Sequence, residues 1–149
     1  MGATVVNGIE SNSVGTSVKH FVANNQEIRR TFNDVIIFPI GSRKIYLKGF
    51  EHIVRRLQPW IIMLSYNKVN DTYVSKSLEL LIDILRDDWG FEGLVMTDWF
   101  GGRNAPAQIT AENDLLEPLT KRNWTASKLR KKENCQNLIL IELQAVFSA

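Results

Sequence analysis

A single cysteine, Cys135, among 149 residues excludes an intramolecular disulfide and says nothing of an oxidising compartment. Histidine is almost as scarce. With only His20 and His52 present, both far from Cys135 in sequence, the chain offers neither a Cys–His nucleophile pair nor a His/Cys metal cluster, and no metal or cofactor is expected. An excess of one charge is also missing: 18 Lys and Arg against 16 Asp and Glu leave +2, too weak a field to imply a nucleic-acid partner. The one local excess, over residues 121–132, is read as a solvated helix face. No run approaches the roughly 18 apolar residues that a membrane span needs, and the start lacks the basic and apolar pattern of a secretory signal. No membrane partner is expected, and the compartment is left open.

What is present is the composition of a globular chain, 44% hydrophobic and 23% charged. A domain of this length buries roughly 70% of its unfolded surface, enough for one modest core. Short apolar runs alternate with longer helical patterns, the signature of successive βα units on a parallel sheet. Strands are expected at residues 16–22, at 60–65 (buried on both faces) and at 93–97, with a fourth at 114–117. Helices are expected at 43–57 and from a Ser75 N-cap to Trp89 and Gly90, where Leu78, Leu81, Ile82 and Leu85 form a stripe. Residues 67–73 read as a loop and 105–111 as a short segment. A further helix is expected at 123–132, and the apolar stretch 138–147 is taken as helix.

A polar residue or two closes each expected strand: Lys19 and His20 the first, Tyr66 the second, Asp98 and Trp99 the third. Chemistry on parallel sheets collects at the carboxyl ends of the strands, where side chains converge. A carboxylate, a cation, an imidazole and aromatic faces suit a sugar, whose hydroxyls take charged partners and whose ring stacks on aromatics. Each residue also has a structural reading. Asp98 before a glycine pair would terminate a turn, Lys19 would be a solvated strand end, His20 a satisfied structural histidine, and Tyr66 and Trp99 core or rim aromatics. Their shared placement favours the functional reading.

The blocks GTSVKHFVANNQE at 15–27, IYLKGFE at 45–51, SYNKVN at 65–70 and GFEGLVMTDWFGG at 90–102 resemble family 3 glycoside hydrolases of the β-glucosidase type, in order and at the expected spacing. The likeness covers roughly residues 6–120 and fades after Lys121. It implies an α/β fold that is part of a (β/α)8 barrel, about its second half in three to four βα units, over residues 1–133, with a divergent tail at 134–149. It implies that Asp98 is the nucleophile of a retaining glycosidase, that Lys19 and His20 hold sugar hydroxyls, that Tyr66 sits beside the reacting carbon and that Trp99 walls the pocket. Arg30 matches the basic residue closing the Asn-Gln-Glu block. The implied partner is a β-glucoside or oligosaccharide, and the acid/base carboxyl of such a site would lie outside this chain; Glu27, Glu51 and Glu92 match no catalytic acid.

Three or four βα units do not close a barrel of eight strands. Two open edges and an uncovered face are therefore expected, which association with another chain would cover. Pro39 and Gly41 delay the helix after the first strand. Asp71, Glu112 and Leu119 stand where the resemblance leads one to expect glycine, so left-handed backbone there would cost about 1 kcal/mol or more per site. Two readings of the whole follow: an enzyme piece retaining part of its chemistry, or an inactive relic or carbohydrate-binding piece of the same family.

Overall fold

The computed structural model describes residues 1–38 and 41–118; the expectations for Leu119, for the helix at 123–132 and for the tail lie outside them. A helix α1 (Gly2–Glu10) opens the chain and packs on α2 (Lys48–Leu57), with Gly2 against Ile53. Its sequence, with two glycines and two valines, gives it little intrinsic helix preference, and no element is expected there from the sequence.

The main sheet is parallel, in the order β1 (Ser17–Phe21), β3 (Ile61–Leu64), β6 (Leu94–Met96), and a single parallel bridge from Met96 to Leu115 extends it. The fourth expected strand is thus reduced to one bridge. Spatial order follows sequence order without reversal, with α2 between β1 and β3 and the helix α3 (Glu79–Asp88) between β3 and β6. One face carries Ile62, Leu64 and Val95, which pack with Val54, Leu81 and Leu85 of the helices in the main core. On β3 and β6 the alternate residues Ile61, Met63, Leu94 and Met96 are only half-buried, so β3 is not buried on both faces as expected.

The helices depart from the sequence reading in detail. A π-type turn, Ser42–Tyr46, precedes α2, which therefore starts later than residue 43. Ser75 is not an N-cap: residues Val74–Lys76 form a 3₁₀ turn, and Ser77 Oγ instead accepts from Leu80 N–H at 3.3 Å. The short segment at 105–111 contains the helix α4 (Ala105–Thr110), capped by the Asn104 side chain.

The expected loop at 67–73 is a hairpin. β4 (Lys68–Val69) and β5 (Thr72–Tyr73) pair antiparallel around Asn70 (φ 48°) and Asp71 (φ 67°), and β2 (Asp34–Val35) joins β4 in parallel. A two-residue hairpin with positive φ at both central positions matches the right-handed twist of its strands, and only short polar residues or glycine take that backbone cheaply. This second sheet comes from the stretches that follow β1 and β3. It therefore lies at the carboxyl end of the main sheet.

Candidate active site

Three βα loops supply the site. His20 lies near the end of β1, Tyr66 two residues beyond β3 and Asp98 two residues beyond β6. Parallel neighbours in register bring these positions together. His20 Nε2 is 3.0 Å from Asp98 Oδ2, and the Asp98 side chain is 17% exposed. The Tyr66 hydroxyl, on a residue 5% exposed, donates to the Trp99 carbonyl at 2.9 Å and also lies in hydrogen-bonding range of the Asp98 carboxylate, so its one proton faces two acceptors. The Trp99 N–H donates to Asp98 Oδ1 at 2.6 Å.

Burial alone would raise the Asp98 carboxyl. The Tyr66 hydrogen bond, the Trp99 N–H and the charges of His20 and Lys19 outweigh it, and the pKa is lowered. Asp98 is therefore ionised at neutral pH. The same contact acts in reverse on Tyr66: burial first, then the hydrogen bond and charge of Asp98, push its hydroxyl up to about 12 despite the opposing charge of Arg30.

Arg30 is placed by a relay not expected from the sequence. Asn24 Nδ2 donates to Glu27 Oε1 at 3.0 Å, Glu27 Oε2 accepts from Arg30 Nη1 at 2.9 Å, and the Arg30 guanidinium stands 4.0 Å from the centroid of the Tyr66 ring. The i,i+3 spacing of Glu27 and Arg30 was the available signal. Below the site, Ser65 Oγ accepts from Val22 N–H and donates to Val22 C=O, tying the ends of β1 and β3. The Asp98 loop is held from beneath by Thr97 Oγ1, which accepts from Glu117 N–H at 2.7 Å, and by Gly101, where a Cβ would stand 2.9 Å from the Asp98 carbonyl oxygen.

Lys19 is exposed and reaches Asp98 only through its charge. With His20, Asn24 and Tyr46 it lines an open cleft of about 570 Å³ beside β1, whose lining does not include Asp98. Trp99 is 58% exposed, its ring packed edge-to-face on Phe100 at 5.8 Å and free to offer a face to a ligand. His20, Tyr66, Asp98 and Arg30 are thus drawn into contact, while Lys19 and Trp99 stand at the rim. No group of three or more metal-ligating side chains occurs among the described residues. The arrangement offers an ionised carboxylate, hydrogen-bond donors on two sides of it and an exposed aromatic face.

A family-wide sequence profile, described as the glycosyl hydrolase family 3 N terminal domain, matches residues 1–116. Among curated relatives, an exo-α-(1→6)-L-arabinopyranosidase of Bifidobacterium breve is 48% identical over 114 residues, which is 76% of this chain and 15% of that protein. A β-glucosidase of Rhizobium radiobacter is 42% identical over 113 residues, 76% of this chain and 14% of that protein. Among solved structures, the GH3 β-glucosidase of Bifidobacterium adolescentis superposes with a TM-score of 0.83 at 40% identity, covering 90% of this chain and 20% of that one. β-Glucosidase 3B of Thermotoga neapolitana, in complex with glucose, gives 0.76 at 47% identity, covering 78% and 16%. The chain spans about a sixth of the length of these relatives.

Proposed function

This chain belongs to glycosyl hydrolase family 3, and from that premise we propose that it carries the nucleophile half of a β-glucosidase-type retaining site, with Asp98 as the nucleophile. The observation that carries this reading is the Asp98 carboxylate at the carboxyl end of β6, kept ionised by Tyr66, Trp99 and His20. In a double displacement it attacks the anomeric carbon and forms a glycosyl–enzyme bond, while a second carboxyl about 5–5.5 Å away protonates the leaving oxygen. His20, Lys19 and Arg30 hold sugar hydroxyls, Tyr66 lies beside the reacting carbon, and Trp99 walls the pocket. The substrate is a β-glucoside or oligosaccharide, and no cofactor takes part.

None of the carboxyls described here is assigned as the acid. Glu27 is committed to Arg30 and Asn24, and the acid/base residue of this reading lies beyond the chain. Removing general acid assistance costs about 10²–10⁴-fold, so glycosides with poor leaving groups are turned over negligibly by this chain alone. The consecutive strand order and the half-covered second sheet face support an arc of a (β/α)8 barrel within the described residues. Association with another chain would cover its open edges.

The test uses a probe that needs a nucleophile and little acid: 2-deoxy-2-fluoro-β-glucosyl dinitrophenolate, incubated with the chain and read by intact mass. One adduct, located on Asp98 and lost in Asp98→Ala, is expected. A folded wild-type chain that takes no label would instead make it an inactive relic or binding piece of its family. Since one relative is an arabinopyranosidase, the corresponding aryl α-L-arabinopyranoside serves as the competing sugar.

A further inference from the structure

The loops that build the Asp98 site also build a second cluster beside it. The end of β1 and the loop after it contribute His20 and Arg30 to the first and Phe32 to the second. The stretch after β3 contributes Tyr66 to the first and Lys68, Tyr73 and Lys76 to the second. The loop after β6 contributes Asp98 and then Arg103. The Arg103 guanidinium stands 4.7 Å from the centroid of Phe32 and 5.7 Å from that of Tyr73, while Lys68 and Lys76 place their ammonium groups 5.5 and 5.9 Å from the same Tyr73 ring. The Tyr73 hydroxyl donates to Thr31 C=O at 3.1 Å, which fixes the ring about which three cations gather.

Those cations are poorly matched by acid. Lys68 faces Asp71 at 3.9 Å, and Asp71 is 91% exposed. Asp34, the register neighbour of Lys68 across the small sheet, accepts from Asp71 N–H through both oxygens at 3.0 Å. Arg103 and Lys76 have no carboxylate partner among the described residues. At the same end of the sheet Phe32 is 64% exposed, and Trp99 and Phe100 are also largely exposed. Exposed aromatic rings beside cations with no carboxylate partner among the described residues suit a flat ring that carries negative charge, since stacking and charge-assisted hydrogen bonds are then available together.

We propose that Phe32, Tyr73, Arg103 and Lys76 form a binding subsite for the leaving side of the substrate, selective for an aryl group bearing a carboxylate. The subsite rests on the glycosidase reading for its role but not for its existence. It has its own ligand, and that ligand binds without any reaction at Asp98. Arg103 meets the carboxylate, Lys76 adds charge, and Phe32 stacks on the aryl ring. Glycosides of phenolic acids are the substrates this arrangement favours.

The experiment measures equilibrium binding of 4-carboxyphenyl β-glucoside and its neutral 4-carboxamidophenyl counterpart by ligand-observed NMR. Free 4-hydroxybenzoate and 4-hydroxybenzamide are run alongside, with Asp98 labelling by the fluoroglucoside as a separate readout. The carboxylate member of each pair is expected to bind about tenfold more tightly at low salt. The preference should fall to near unity in Arg103→Ala, shrink in Lys76→Ala and collapse in 0.5 M salt, with unchanged cooperative unfolding in both variants. Equal binding of carboxylate and carboxamide by the wild-type chain overturns the subsite, and does so whether or not Asp98 is labelled. Conversely, a carboxylate preference in a chain whose Asp98 takes no label sustains the subsite and removes the glycosidase reading.

Discussion

The two ends of the parallel sheet use polar side chains differently. At the amino end they satisfy backbone. Glu10 Oε1 accepts from the Thr16 N–H, the Thr16 hydroxyl and the Trp60 N–H, just ahead of β1 and β3. Gln58 bonds Gly90 C=O and Glu92 N–H, and Arg86 donates to the Phe91 and Gly93 carbonyls and to the Asp114 carboxylate at 2.7 Å. At the carboxyl end, alongside backbone ties such as Ser65 to Val22 and Thr97 to Glu117, a set of side chains pairs with each other: His20 with Asp98, Tyr66 with Asp98, Arg30 with Glu27 and the Tyr66 ring. Polar groups spent on the backbone hold the fold, whereas groups aimed at one another remain available to a ligand.

Backbone strain divides the same way. The corners after α2, α3 and α4 all turn through a left-handed residue, Gln58, Gly90 and Glu112, which is the ordinary way for a helix to end. The βα loops hold Ala23, Arg29, Asn70, Asp71, Phe100 and Asn104 in the same region. Left-handed residues other than glycine cost about 1–3 kcal/mol each and persist where surrounding structure imposes them, commonly around functional sites.

Breaking the amino end should give the largest effect. Arg86→Met leaves the Asp114 carboxylate and two carbonyls without their strongest donor, and urea titration should show a loss of about 3 kcal/mol with an unchanged slope. A loss below about 1 kcal/mol would remove the contrast between the two ends.

Asp98→Asn should cost little at neutral pH, within about 1 kcal/mol, because its ion-pair partner His20 is partly solvated and an Asn side chain keeps an oxygen that can accept from Trp99 N–H. Its signature is titration. Tyr66, at about 12 in the wild type, should fall toward 10 in the variant; the shift due to Asp98 disappears and that due to burial remains. Tyrosine ring NMR reads this directly, and an unmoved Tyr66 would mean that the Tyr66–Asp98 contact is not formed. The sign for stability follows from the lowered carboxyl pKa. Whatever Asp98 contributes is fully present above its ordinary value of 3.8 and fades as pH falls through the lower folded value, so wild type and variant converge in acid.

The smallest effect runs the other way. Glu112→Gly, at φ 59°, should stabilise the chain by about 0.5–1 kcal/mol by relieving a left-handed corner, since the 3.7 Å pair with Arg86 is half exposed and contributes little. A urea midpoint that drops instead would show that the pair outweighs the backbone.

How far the sequence could be read depended on the range of each signal. β1, β3, β6 and the two main helices were legible because an apolar pattern repeats within each. β2, β4 and β5 were not, since two-residue strands have no periodicity to read. Their trace was the Asn70-Asp71 pair, and the expectation of glycine at Asp71 and Glu112 is matched by left-handed backbone at both. Of the site, the residues closing each strand were legible by position. The Asn24–Glu27–Arg30 relay and the Thr97–Glu117 support were not, because they depend on which loops meet.

By itself, then, the sequence determined the βα alternation, the family and the short set of polar residues at the strand ends, all of which are local patterns or blocks of contiguous residues. Tertiary structure decided that β1, β3 and β6 lie side by side in parallel register, and so that a histidine at 20 and a carboxylate at 98 come within 3.0 Å. It also decided that the second sheet and Arg103 gather beside them. Distances between residues nearly eighty positions apart are set by strand register and loop packing, and no local property of the chain encodes them.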